Sequence, residues 1–381
     1  MSLLRIVMAS ALIAAAGGPL ASATSAAAPG SVSVVASGLN NPRGLAFAKG
    51  QLYVAEAGSG GSDCPKGATG AEGGPLCAGL TGALATISLG AVHVRMGGLF
   101  SFSDIPGGSA AEGIAAVAAT GRGLELLRGE SVLGLLTSLP AGSRFNEADS
   151  AAARRELGRL SSLGASGGRV LADVGDEDFA WTGINQNLVP EQYPDSNPNA
   201  LAVVGSTTYV ADAGANQLVS VDAHGVVRQL AFFPNPPARD AVPTCVAAGP
   251  HGNLYIGELA PGAKPGEGAI YRYGIASHRL SLWKSGFNVV DGCGFDHKGN
   301  FYAVEFQAHG FNPSPTGNPA GDIVEIAKNG TRSVLGEGQL FYPQGFAVDA
   351  KDNIYVSNWS ILTGTPRGPG APTGEVVKIR H

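Results

Sequence analysis

The chain has 381 residues, a net charge of −5 and 14% charged side chains. No basic cluster offers the positive face that phosphate neutralisation requires, so nucleic acid is excluded as an expected partner. The 57 glycines and 24 prolines indicate a fold rich in tight turns, and one all-β domain accommodates this length.

Residues 1–23 read as a secretory signal peptide. Arg5 is the only early charge, residues 6–16 are apolar, and Ala21-Ser22-Ala23 supplies small residues for cleavage. The apolar run is too short for a membrane anchor, and no later run is long enough to span a bilayer. Residues 24–30 follow as a flexible leader, residues 31–381 form the folded domain, and a secreted or periplasmic monomer is expected.

Past the leader, an apolar strand at 31–37 precedes a series of repeats. Tyr53-Val-Ala-Glu56, Tyr209-Val-Ala-Asp212, Tyr255-Ile-Gly-Glu258, Tyr302-Ala-Val-Glu305 and Tyr355-Val-Ser-Asn358 each follow a turn that closes a short apolar run. The last four tyrosines stand 46, 47 and 53 residues apart, the period of a four-stranded propeller blade. In the third unit the strands read as 199–204, 207–212, 217–222 and 226–232. Between Tyr53 and Tyr209 a degenerate copy begins at Ala111-Glu112-Gly113 and carries an insertion, 146–156, predicted as a short surface helix leading into a strand at 157–160. The count is six blades. The last unit, from Pro343, is one strand short, and the strand at 31–37 completes it, closing the ring and removing exposed sheet edges.

These motifs resemble the ScyD/ScyE family of exported propeller proteins, related in pattern to NHL-type propellers. The resemblance rests on Asn41-Pro-Arg-Gly-Leu-Ala-Phe, Asp195-Ser-Asn-Pro-Asn, Tyr209-Val-Ala-Asp-Ala-Gly, Asp240-Ala-Val-Pro-Thr, Tyr255-Ile-Gly-Glu-Leu and Thr373-Gly-Glu-Val-Val-Lys-Ile, which span nearly the whole chain after its leader. It implies a six-bladed propeller outside the cytoplasm and assigns no catalytic residues.

Four cysteines in an exported chain read as two disulfides, for which three pairings exist. Cys64 and Cys77 bracket a Gly-rich loop with few apolar anchors. Cys245 and Cys293 occupy the first strands of consecutive units one register position apart, so their side chains turn towards each other across a blade interface. The expected pairs are therefore Cys64 with Cys77 and Cys245 with Cys293.

Catalytic motifs are not found. Gly164-Ala-Ser-Gly-Gly168 matches a nucleophile pattern in letters only, because it lies in a turn between two strands rather than between strand and helix. The acids and amides that follow the tyrosines, Glu56, Asp212, Glu258, Glu305 and Asn358, form one column, with Arg128 in their place in the degenerate unit, and the carboxylates and amide are expected to accept backbone N–H groups from the next loop.

A second column varies from blade to blade. Arg43, Glu112, Asn199, Thr244, Asp291 and Gln344 start the innermost strands, each followed by a small residue, and would ring the mouth of the central channel as a ligand site. Facing one another there, Glu112 and Asp291 raise each other's pKa unless Arg43 or an ion compensates. An inward Arg43 favours an anionic ligand, whereas an outward one leaves an acidic cup for a divalent cation. The sequence therefore supports an exported binding scaffold for a small molecule or protein partner. The alternative is a divalent-metal-dependent lactonase or esterase of the gluconolactonase or regucalcin type, with Glu112, Asn199 and Asp291 holding calcium or another divalent cation.

Overall fold

A computed structural model describes residues 30–70, 73–164, 167–188, 194–233, 240–312 and 318–380. Six four-stranded antiparallel sheets stand in a ring. Strand β1 (Val32–Leu39) precedes the first blade, which comprises β2 (Pro42–Ala48), β3 (Gln51–Glu56), β4 (Cys77–Ser88) and β5 (Ala91–Ser103). The second blade contains β6 (Ile114–Thr120), β7 (Gly123–Arg128), helices α1 (Val132–Ser138) and α2 (Glu147–Glu156), then β8 (Arg159–Gly164) and β9 (Gly167–Asp173). Helix α3 (Val174–Ile184) leads to the third blade: β10 (Pro198–Val204), β11 (Thr207–Asp212), β12 (Gln217–Val221) and β13 (Val227–Phe232).

The fourth blade is β14 (Pro243–Gly249), β15 (Asn253–Glu258), β16 (Gly268–Gly274) and β17 (Arg279–Phe287). The fifth is β18 (Val289–Phe295), β19 (Phe301–Gln307), β20 (Ala320–Ile326) and β21 (Arg332–Phe341). In the sixth, β22 (Phe346–Val348), β23 (Ile354–Asn358) and β24 (Gly374–Ile379) are completed by β1 as the outermost strand. Val32 pairs with Ile379 and Ser33 with Lys378, so the chain's first strand closes the ring against its last.

The core lies between blades rather than in one centre. Ala202, Leu218 and Phe233 of the third blade pack on Ile256, Ala269 and Tyr271 of the fourth, and Cys245, Ile270 and Phe287 of the fourth pack on Phe301, Ala303 and Val324 of the fifth. The alternation of strand side chains makes this possible, since each sheet buries both faces against neighbours. Both expected disulfides are present, Cys64–Cys77 within the β3–β4 loop and Cys245–Cys293 between the inner strands of adjacent blades.

Three details depart from the sequence reading. The strand expected at 157–160 begins at Arg159, because Leu157 caps α2 with its N–H on the Ala153 carbonyl. The insertion helix is not wholly superficial: Asp149, Ala152, Ala153 and Glu156 are buried, and the alanines share a cluster with Phe100 and Phe145. Helices α1 and α3 are additional. Each has a side-chain N-cap, Ser131 accepting from Gly134 N and Asp173 accepting from Asp176 N. The proposed signal peptide lies outside the described residues, as do Ala165 and Ser166 of the rejected nucleophile motif. Among the described residues no helix is long and apolar enough to cross a membrane.

Candidate functional site

The loops joining second to third strands, and those joining one blade's last strand to the next blade's first, open on one side of the ring. The Cys64–Cys77 loop and all three helices lie in such connections, so the insertions crowd the side on which the inner strands begin.

The mouth residues reach the channel because the ladder is broken at them. Pro198 pairs with Asp212 and Ala200 with Ala211, leaving Asn199 unpaired. Thr244 lies between the paired Pro243 and Cys245, and Asp291 between Val290 and Gly292. Arg43 is passed over between Pro42 and Leu45. A bulge of this kind re-aims a side chain out of the sheet. The second blade differs, with its shift between Ile114 and Ala116 and Glu112 held in a bridge to Phe102. A further regularity was invisible in the sequence. The residue two before the mouth position is left-handed in four blades, at Asn41, Ala110, Val242 and Tyr342.

The inner column converges as expected. Arg43 Nη1 donates to Gln344 Oε1 at 3.0 Å, Arg43 Nη2 donates to the Ala111 carbonyl at 2.8 Å, and the same nitrogen lies 4.0 Å from Glu112 Oε1. Gln344 Nε2 approaches Asp291 Oδ1 at 3.5 Å, while Asn199 Nδ2 donates to the Thr244 carbonyl at 2.8 Å. Thr244 is the exception. Its hydroxyl donates to the Val290 carbonyl, tying the fourth blade to the fifth rather than facing a ligand.

The column is more enclosed than a solvent-facing ring. Arg43, Thr244, Asp291 and Gln344 are buried, whereas Asn199 is half-buried and a third of the Glu112 side chain meets solvent. Asp291 is thus packed between inner strands and does not stand free in the channel. The cause is close approach of the inner strands: a Cβ on Gly292 would stand 2.3 Å from the Gln344 carbonyl oxygen, and one on Gly345 2.2 Å from that of Arg43.

Burial pushes the Asp291 carboxyl up to about 8, with Arg43 opposing the shift and Glu112 adding to it. Glu112 is also raised, mainly by desolvation, with Arg43 again opposing. Burial thus favours the protonated form of Asp291, which can donate a hydrogen bond, beside the Arg43 guanidinium. Glu112, Asn199 and Asp291 do face one another, but Arg43 acts on both acids as the cation of the set. That donor set does not fit a divalent ion. Among the described residues no group of three or more His, Cys, Asp or Glu side chains is arranged to hold a metal.

Most of the strand-end column accepts backbone N–H groups as expected, but largely from the segment that enters the blade's own first strand rather than from the next loop. Glu56 accepts from Asn40 N, Glu305 from Asn288 N, Asn358 from Phe341 N, and Asp212 from Asn197 N and Ala215 N. Arg128 instead donates to Ser161 Oγ and lies 3.9 Å from Glu156. Glu258 breaks the pattern. It is 1% exposed, neither carboxyl oxygen has a hydrogen-bond partner, and burial pushes its pKa up to about 8.

No family model matches the sequence, and no curated protein is significantly similar to it. Solved structures share its fold. A protein of unknown function from Bacteroides thetaiotaomicron aligns with TM-score 0.53 at 10% identity, covering 92% of this chain and 75% of its own. A Thermus thermophilus protein assigned as an oxidoreductase of the glucose dehydrogenase type aligns with TM-score 0.50 at 12% identity over 92% of this chain and 99% of its own. Virginiamycin B lyase from Staphylococcus aureus aligns with TM-score 0.45 at 13% identity over 87% of this chain and 82% of its own. Identities this low carry the propeller fold and no activity.

Proposed function

We propose that this chain is an exported binding propeller of the ScyD/ScyE type whose channel mouth receives a neutral polar small molecule through hydrogen bonds. The observation that carries the reading is the inward pose of Arg43, which is bonded to Gln344 and Ala111 and faces Glu112. An inward guanidinium would select an anion if its charge were unspent, but here it is balanced by Glu112. With Asp291 protonated, the ring offers donors and acceptors with little net charge, the chemistry that hydroxyl- or amide-bearing ligands match. Glu112 and Asn199 form the exposed rim where such a ligand would first make contact. Export is supported by the sequence of residues 1–23 and by two disulfides, which persist in oxidising compartments.

A metal-dependent lactonase would need Asp291 ionised and Arg43 displaced from the acids, and it receives no support from this geometry. The test is a thermal-shift series on the purified protein with neutral polyols and amides, with gluconate as the anion and with calcium chloride. Neutral ligands are expected to raise the melting temperature of the wild type and not of Asn199→Ala or Glu112→Gln. Calcium-dependent hydrolysis of a lactone, lost in Asp291→Asn, would overturn the reading.

A further inference from the structure

A second buried polar cluster lies under α3, at the interface between the second and third blades. Val210, Val219 and Val221 of the third blade pack against Leu127 and Leu160 of the second and Val174 at the start of α3. Side chains two positions along a strand share a face, so Asp212 on β11 and Gln217 on β12 point to the same interface. The two are also direct cross-strand partners. Gln229 on β13, opposite Val219, joins them there. From above, α3 lowers Asp178 into hydrogen-bonding reach of Asp212, and Gln229 Nε2 donates to Asp178 Oδ1 at 3.3 Å.

Asp178, Asp212 and Gln217 are all 0% exposed. Asp212 accepts from Ser196 Oγ, Asn197 N and Ala215 N, which are neutral donors. No ion pair reaches either carboxylate among the described residues, and the nearby Glu177 adds negative charge. Arg159 is engaged elsewhere, paired with Asp173, the N-cap of α3. Asp178 lies beside Asp212, and Gln217 is the cross-strand partner of Asp212 on the same face, yet this group lacks a full set of donors. Asp178 Oδ2 and Gln217 Oε1 have no hydrogen-bond partner, and neither does Gln217 Nε2. A buried carboxylate pair with an orphan amide oxygen beside it is costly unless something positive sits between them.

We propose that this cluster is a structural cation site, in which Asp178, Asp212 and Gln217 Oε1 bind one calcium ion and so fasten α3 to the third blade. Two carboxylates match the charge of a divalent ion, and the ligands are all hard oxygens. Calcium tolerates the irregular geometry of one helix and two strands, whereas magnesium demands a near-octahedral shell and dehydrates reluctantly. Because the cluster is buried, the ion enters as α3 docks, and its binding energy adds to the stability of the helix-bearing segment. The site is separate from the channel mouth and does not depend on what the mouth binds.

The test is the metal content of protein purified without chelator, followed by thermal unfolding of chelator-treated protein with and without added calcium chloride. About one calcium per chain is expected in the wild type and in Asp291→Asn, which separates this cluster from the mouth. Calcium should raise the melting temperature of the stripped wild type in a concentration-dependent way, since a ligand bound only by the native state stabilises by mass action. Asp178→Asn should abolish both signals, and Gln217→Leu should weaken calcium binding by about tenfold or more, the loss typical of a coordinating oxygen or its support. If wild-type protein holds no calcium and its melting temperature does not respond to it, a proton shared by the two carboxyls explains the pair and the proposal fails. It fails equally if Asp178→Asn keeps the metal.

Discussion

Arg43 Nη1 donates to Gln344 Oε1 at 3.0 Å although 301 residues separate them in sequence. The bond crosses the seam at which the first blade meets the last, so the residue that sets the charge of the mouth also helps hold the ring closed.

Replacing Arg43 by Met should therefore cost stability as well as ligand. The guanidinium is buried, and its loss leaves Gln344 and the Ala111 carbonyl short of a donor. Breaking a fully buried pair costs about 3–5 kcal/mol, but a third of the Glu112 side chain is solvated and its contact is long, which lowers the expectation to about 2 kcal/mol. Urea unfolding should show a lower midpoint with an unchanged slope.

Glu258 makes stability depend on pH in an unusual direction. Its folded-state pKa of about 8 lies above the ordinary 4.5, so between those values the native state holds a proton that the unfolded chain has released. Stability then falls as pH rises from about 4.5 to about 8, and Asp291, also pushed up to about 8, adds to the same slope. Glu258→Met should stabilise the protein by about 1–3 kcal/mol at pH 8, the cost of an unsatisfied buried polar group, with a smaller gain at pH 5. Chemical denaturation at the two pH values measures both the gain and the flattened slope. An equal gain at the two pH values would show that Glu258 does not titrate in this window.

The two disulfides should differ in what they protect. Cys245–Cys293 closes a loop spanning 48 residues and joins two blades, so replacing both cysteines by serine should lower global stability by about 2–4 kcal/mol. Cys64–Cys77 spans 13 residues within one loop, and its removal should appear mainly as faster proteolysis between those positions. Limited proteolysis with peptide mapping distinguishes the two outcomes.

Gly345→Ala tests the close packing of the inner strands. The added methyl would meet the Arg43 carbonyl oxygen at 2.2 Å, a contact that only a backbone shift relieves. The expected loss is about 2 kcal/mol or more, typical of overpacking, measured as a drop in the urea midpoint. Hydrogen exchange should rise first in β2 and β22, the strands at the closing seam.

Much of this was legible from residue order because a blade is a local object. The four strands of the third unit follow from turn residues and apolar runs, and their observed bounds differ from the reading by one residue at most. The mouth column was found from position in the repeat, without knowledge of the bulges that turn Asn199, Thr244 and Asp291 out of the ladder. Its enclosure was not visible, because exposure there depends on how closely Gly292 and Gly345 let neighbouring inner strands approach. Helix α3 is capped by Asp173, but its short run inside a β repeat drew no helix expectation.

The sequence alone determined the repeat, the blade count, the closing strand and the pairing of the cysteines, since each depends on periodicity or on registers within consecutive units. Tertiary structure decided what the charges do. Arg43 is inward and paired, Glu258 is orphaned where its counterparts are capped, and Asp178 meets Asp212 from a different element. These outcomes depend on distances between residues far apart in the chain and on the removal of water around them, and neither is written in a local pattern.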